Sequence, residues 1–381
     1  MRKVFLLGAF GARMLTLLFR GLLLMMLGGV ASAALPPLNL GLNEQVFFIR
    51  DPERETELET TLFKPDGAGP FPLVVINHGK SAGDARQQER TRYPVAAREF
   101  VRRGYVVLIP MRGGFSRSTG PYVGYGCNIS ANGVAQARDL RVALDYAVKL
   151  PYVDRGRIVI VGQSHGGLTA LAFGMRPYPG VLGLINFAGG LRMKSCPEWE
   201  DQLVQAFADY GRSNRYPSLW FYGLNDSFWS PALVERMYAA YRAGGGRATK
   251  IDVGRFKADA HALFRDREGL AVWWPAVEGF LTGLDLPTEL RPHAERGDDP
   301  RWHRLLAAGR RLPESARRCR ALYDTFLDVD YPRVFTLARD GRCALASGGK
   351  DLEQRALTAC RAGRETPCAL YVVDDEVRAL P

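Results

Sequence analysis

The sequence predicts an α/β protein built on a mostly parallel central sheet with helices on both faces, followed by a small α+β unit. Three observations predict it. Continuous apolar runs at 72–76, 105–109 and 158–161 are bounded by turn residues, as in strands buried on both faces. Amphipathic stretches of helical length alternate with them, which is the signature of a parallel sheet. The run at 158–161 enters Gly162-Gln163-Ser164-His165-Gly166, a G-x-S-x-G turn that lifts a serine to the carboxyl edge of such a sheet.

The chain opens with Arg2 and Lys3, an uncharged run at 21–30 and the small-x-small triplet Ala31-Ser32-Ala33, the pattern of a secretory leader cleaved after residue 33. The apolar run before Pro36 and Pro37 is shorter than the roughly 20 residues that span a bilayer, so no stable membrane span is expected after cleavage. An uncleaved anchor and a start at Met14 are the alternatives. With 47% hydrophobic residues the chain is globular, and its charge of +11 includes four cations of the leader. No lysine-rich tract or basic-aromatic repeat occurs, which argues against nucleic-acid binding.

Segments 44–50 and 57–63 read as an antiparallel edge hairpin across Asp51 and Pro52. The buried strand at 72–79 ends in Asn77-His78-Gly79, a helix spans 95–103, and a second buried strand covers 105–110. The loop from Met111 to Cys127 follows on the carboxyl edge, where open α/β sheets build their sites. A helix is expected at 134–150, stopped by Pro151. After the serine turn come a strand at 181–188, a helix at 199–210 read as a small cap, and a strand at 218–223. A helix at 231–243, a strand at 249–253 and a helix to about 284 complete the pattern. The predicted domains are a leader at 1–33, the large domain at 34–285, a linker at 286–300 and a small domain at 301–381. In the last, a helix at 313–327, strands at 333–338 and 343–346 around Asp340-Gly341, a helix at 351–361 and a strand at 369–373 are expected.

Six cysteines behind a secretory leader point to disulfides and to an oxidising compartment, periplasmic or secreted. The expected pairs are Cys127 with Cys196 and Cys360 with Cys368, leaving Cys319 with Cys343. No C-x₂-C pair or His/Cys cluster suggests a metal, and no cofactor is expected.

Acyl transfer by a serine needs a base for its proton and a carboxylate to orient that base. Of five histidines, His78 shapes the loop after its strand, His165 directly follows the serine, and His293 and His303 lie beyond the sheet pattern. His261 remains as the base, in a loop after the last strand. Asp226, at the end of a strand two after the serine strand, is the expected carboxylate, with Asp252 and Asp259 as competitors. The order Ser164, Asp226, His261 is that of an α/β-hydrolase.

Residues 40–285 resemble the dienelactone-hydrolase-type α/β-hydrolases. The resemblance rests on Asn77-His78-Gly79, Arg103-Gly104-Tyr105, the run 110–114, the elbow 162–167, the run 223–226 and Asp259-Ala260-His261 followed by Phe264. It implies an esterase-like enzyme working through an acyl-enzyme at Ser164, Asp226 and His261. It also implies an oxyanion hole formed by the backbone N–H groups of Lys80 and His165. Members with a cysteine nucleophile match poorly, because the elbow position is serine. Ala260 departs from the glycine that many relatives place before the histidine.

The expected function is hydrolysis of a small-molecule ester. A peptidase or amidase on the same triad, and an idle scaffold used for binding, are the alternatives. Phe228, Trp229, Tyr122 and Tyr125 are candidate pocket aromatics. The small domain carries no catalytic constellation, its basic residues Arg310, Arg311, Arg317, Arg318 and Arg320 read as a solvated face, and its protein partner is unknown.

Overall fold

A computed structural model describes residues 38–291, 299–329, 331–349, 351–361 and 367–378. The expected leader with its expected cleavage site, and the middle of the expected linker, lie outside the described residues. Eight strands form the large sheet in the order β1-β2-β4-β3-β5-β6-β7-β8. They are β1 Gln45–Asp51, β2 Thr56–Phe63, β3 Phe71–Asn77, β4 Val106–Pro110, β5 Val153–Gln163, β6 Val181–Phe187, β7 Ser218–Tyr222 and β8 Ala248–Asp252. From β4 to β8 every pairing is parallel, and β1 and β2 form the antiparallel edge read from the sequence.

The continuous apolar runs are buried on both faces because helices cover both. Alternate residues of β3, β4 and β5 divide between two cores: Leu73, Leu108, Ile158 and Ile160 point to one, and Val74, Val107, Val159 and Val161 to the other. Helices α1 Pro94–Val101 and α6 Gly269–Thr282 cover the second face. Helices α2 Ile129–Ala147, α3 His165–Phe173, α4 Trp199–Ser213 and α5 Pro231–Ala243 cover the first.

Two expectations shift. Helix α2 starts five residues before the expected 134, because the Asn128 side chain accepts the Ala131 N–H (2.9 Å) and caps it. Residues 130–133 carry little apolar signal. Gly133 lies there for room, since a Cβ on it would sit 2.2 Å from the Tyr210 hydroxyl. Helix α4 is a member of the outer layer rather than a cap: Leu203, Ala206, Phe207 and Tyr210 are buried in the first core beside Leu233 and Met237 of α5.

The small domain has its own antiparallel sheet, ordered β10-β9-β11-β12. Its strands are β9 Arg333–Ala338, β10 Cys343–Ser347, β11 Cys368–Val373 and β12 Glu376–Val377; its helices are α7 Pro300–Arg310, α8 Arg317–Asp328 and α9 Leu352–Arg361. Helix α7 falls in a stretch read as the end of the linker and the gap after it. Its Trp302 ring fills the space a side chain at Gly41 would need, 2.8 Å from the Cβ position, and shares a core with Leu40. The small domain is thereby packed onto the start of the large one. All three disulfides pair as expected: Cys127–Cys196, Cys319–Cys343 and Cys360–Cys368. No helix among the described residues is long and apolar enough to cross a membrane.

Candidate active site

Strand β5 ends at Gln163 and α3 begins at His165, so Ser164 alone makes the turn, at φ 56° and ψ −124°. This conformation is strained for a residue with a side chain and is held by its surroundings. The Ser164 N–H donates to Phe187 O (2.9 Å), while its carbonyl accepts from Gly167 (2.8 Å) and Gly190 (3.1 Å). The flanking glycines are a steric requirement. A Cβ on Gly162 would lie 2.1 Å from Gly166 O, and one on Gly166 would lie 2.1 Å from Asn77 O.

The loops after β7 and β8 bring Asp226 and His261 together. His261 Nδ1 lies 2.9 and 3.1 Å from the two carboxylate oxygens of Asp226, whose side chain is buried. An ionised carboxylate only accepts, so the network assigns the proton to Nδ1 and leaves Nε2 as an acceptor. The carboxylate also accepts the N–H groups of Phe228 (2.8 Å) and Trp229 (3.1 Å), which orient it.

Neither competing carboxylate meets the imidazole in this way. Asp252 pairs with Lys250 at 3.0 Å. Asp259 accepts from the His261 N–H (2.9 Å), the Ser227 N–H (3.0 Å) and the Ser227 hydroxyl (2.7 Å), tying the two loops to each other. Burial opposes ionisation of Asp259, but these hydrogen bonds outweigh it and hold its pKa below the ordinary value. Ala260, just before the histidine, finds its space across the loop: a Cβ on Gly223 would fall 2.2 Å from that of Ala260.

Two residues not singled out from the sequence join these loops. Gln163 donates from Nε2 to His261 O (2.9 Å) and accepts at Oε1 from the Tyr93 hydroxyl (2.8 Å), which accepts the Gly79 N–H (3.3 Å). A chain of hydrogen bonds therefore runs from the loop after β3, through the elbow, to the histidine loop. The only sequence signal for it is a polar residue inside the elbow, where the turn demands nothing of the side chain.

Beneath the elbow, Arg112 is almost fully buried. Its guanidinium donates to His78 O (2.7 Å), His165 Nδ1 (3.1 Å) and Gln136 Oε1 (3.0 Å), and its backbone N–H donates to His78 Nε2 (3.0 Å). His78 Nδ1 faces Gly79 O (2.7 Å), and His165 Nε2 faces Asn132 Oδ1 (2.7 Å). Each imidazole is therefore a neutral tautomer that accepts from Arg112. Burial first, and then the Arg112 charge, push both pKa values well below the ordinary histidine value. Burial likewise pushes Arg112 down to about 10.

Two cavities flank Ser164. The first, of about 440 Å³, is lined by Ser164, His261, Lys80, Tyr93 and Arg265. The second, of about 510 Å³, is lined by Ser164, His165, Lys80, Tyr122, Leu191 and Trp229, with Phe228 between the two. Of the four candidate aromatics, Tyr125 is not part of this lining and is 54% exposed. The two residues implied for the oxyanion hole thus border the serine. His165 also opens α3, where the first N–H groups have no intrahelical acceptor. The Lys80 ammonium turns back onto Ser81 O (3.2 Å) and Gly83 O (3.0 Å), and burial lowers its pKa.

This sheet order and this serine turn are those of the α/β-hydrolase fold. Residues 55–216, under half of the chain, match the model of the X-Pro dipeptidyl-peptidase (S15) family; the match includes Ser164 and ends before Asp226. No curated protein matches the chain in sequence. Among solved structures, DcsB in complex with its substrate analogue is similar at 13% identity and TM-score 0.50, covering 64% of this chain and 99% of its own. A putative dipeptidyl aminopeptidase IV from Bacteroides ovatus is similar at 16% identity and TM-score 0.50, covering 63% of this chain and 35% of its own. A putative dienelactone hydrolase from Klebsiella pneumoniae shows 17% identity and TM-score 0.45, over 63% and 98%. At these identities the likeness is one of fold.

Proposed function

We propose that the chain is a serine hydrolase that cleaves an ester through an acyl-enzyme, with Ser164 as nucleophile, His261 as base and Asp226 as its orienting carboxylate. The observation that carries the reading is the strained Ser164 sharing a cavity with His261, whose Nδ1 is bonded to a buried carboxylate. In the first half-reaction the Ser164 oxygen attacks the ester carbonyl as His261 Nε2 takes its proton, and Asp226 stabilises the imidazolium formed. The backbone N–H groups of Lys80 and His165 hold the oxyanion, a contribution of roughly 3 kcal/mol for each well-placed donor. The C–O bond then breaks, and His261 returns the proton to the leaving alcohol. Water repeats the sequence on the acyl-enzyme and releases the acid.

The matched S15 stretch favours a second reading, cleavage of a peptide bond by the same groups. Fluorophosphonate labelling of the wild type, lost in Ser164→Ala, tests the serine reading. Turnover of p-nitrophenyl esters in preference to peptide anilides supports the ester reading, and the reverse preference replaces it with the peptidase. The three disulfides support an oxidising compartment, periplasmic or extracellular, as the site of action.

A further inference from the structure

One buried cluster of charges lies outside the groups that do chemistry. Glu44, just before β1, has a fully buried side chain, and its carboxylate accepts from Arg90 Nη1 (3.1 Å), from Arg92 Nε (2.7 Å) and Nη2, and from the backbone N–H of Asn39 (2.7 Å). Arg90 Nη1 also donates to Thr61 Oγ1 on β2 (2.7 Å). Taking three charges out of water makes such a cluster a poor source of net stability, whereas it admits one geometry and so fixes the path of the chain that carries it. Here that chain is the loop from Gly79 to Tyr93, which supplies much of the wall of the first cavity.

What the loop must hold is Tyr93. It sits at φ 45° and ψ 52°, left-handed angles that are costly for an aromatic residue, and a residue before proline is pushed toward extended angles instead. Such a residue keeps its conformation only where its surroundings over-determine it. On one side Pro94 opens α1; on the other, the arginines one and three residues earlier are bound to Glu44. Held so, the Tyr93 hydroxyl accepts the Gly79 N–H (3.3 Å) and donates to Gln163 Oε1 (2.8 Å), while Gln163 Nε2 donates to His261 O (2.9 Å). One phenol thus braces the loop that leads to Lys80 and, through Gln163, the loop of the base.

The segment bearing Glu44 is in turn seated by the small domain. Leu40 lies in the small-domain core with Trp302, Leu42 lies in the second core of the large domain with Tyr93, and the Trp302 ring occupies the space over Gly41 between them. We propose that Glu44 is a positioning residue of the active site, acting through Arg90, Arg92 and the strained Tyr93 on the loops of Lys80 and His261, and that the small domain serves catalysis by clamping the turn that carries Glu44. The inference rests on the serine-hydrolase reading and is indifferent to whether the bond cleaved is an ester or an amide.

The test is a double-mutant cycle in kcat on the full chain, with p-nitrophenyl acetate as substrate and active enzyme counted by fluorophosphonate titration. Tyr93→Phe, which removes only the hydroxyl, and Glu44→Gln are each expected to lower kcat by about 10- to 100-fold, with KM changed by less than about threefold. Because Glu44 acts through that hydroxyl, the double variant is expected to be no slower than the slower single one. A residue that only supported the fold would lower the melting temperature and multiply its loss with that of Tyr93→Phe. Multiplying losses, or a Glu44→Gln kcat within about twofold of wild type, therefore overturn the inference. Arg92→Lys, which keeps the charge but loses the two-pronged contact, carries the same cycle where Glu44→Gln yields no folded protein. Trp302→Ala is expected to lower kcat by about threefold or more and to add nothing to Glu44→Gln. An unchanged kcat in Trp302→Ala, or a loss that multiplies with that of Glu44→Gln, overturns the part given to the small domain. Absence of fluorophosphonate labelling in the wild type marks failure of the serine-hydrolase reading itself.

Discussion

Replacing Arg112 by methionine separates stability from activity. The variant deletes three donated hydrogen bonds and leaves the His78 carbonyl, His165 Nδ1 and Gln136 Oε1 buried without that donor. Each orphaned acceptor costs about 1–3 kcal/mol, or roughly 3–9 kcal/mol together. Against this stands relief of a buried cation. Burial takes the Arg112 pKa from 12.5 to about 10, which is roughly 3 kcal/mol against the charged form that methionine removes. The second effect offsets part of the first, so the net destabilisation is expected to be about 0–6 kcal/mol. Activity has no such offset. The guanidinium holds both the loop that leads to Lys80 and the side chain of His165, and misplacing one oxyanion donor lowers kcat by about 10²–10³. Urea unfolding alongside p-nitrophenyl ester kinetics reads both quantities. Arg112→Met keeping kcat within twofold of wild type refutes the placement of the oxyanion hole above this guanidinium.

Other consequences are local. His78 and His165 are neutral when folded, with pKa values held below that of the unfolded chain, so their contribution is present above about pH 6.5 and lost as pH falls below it. The urea midpoint should fall between pH 7.5 and 5.5, and by less in His165→Gln, which removes one of the two groups. Gly166→Ala forces a methyl to within 2.1 Å of Asn77 O. It is expected to destabilise by about 3 kcal/mol, read as a lowered melting temperature, with esterase activity lost in whatever remains folded. Replacing Cys127 and Cys196 by serine opens a cross-link over a sequence separation of 69 residues. The loss should be about 2–4 kcal/mol in urea unfolding. The same bond ties the loop bearing Tyr122 to the segment bearing Leu191 and Met193, so KM for apolar acyl esters should rise more than kcat falls.

What could be read from the residues alone was whatever is decided within a few positions of chain. Buried strands announce themselves as apolar runs, and the serine turn as glycines where the backbone has no room, because the clashes that require Gly162 and Gly166 arise inside one strand-turn-helix unit and its neighbouring strand. The pairing of Asp226 with His261 followed from strand order, since loops at the carboxyl edge of a parallel sheet converge. Only the folded chain could show Tyr93 bonded to Gln163, Arg112 beneath two histidines, or α7 carrying Trp302 onto Gly41. Those contacts join segments far apart in sequence, and hydrogen bonding or ring packing across such distances leaves no periodicity to read. The same reason hid the small domain's place beside Arg265: a second domain's composition describes its own core, while its orientation depends on surfaces that meet only when both have folded.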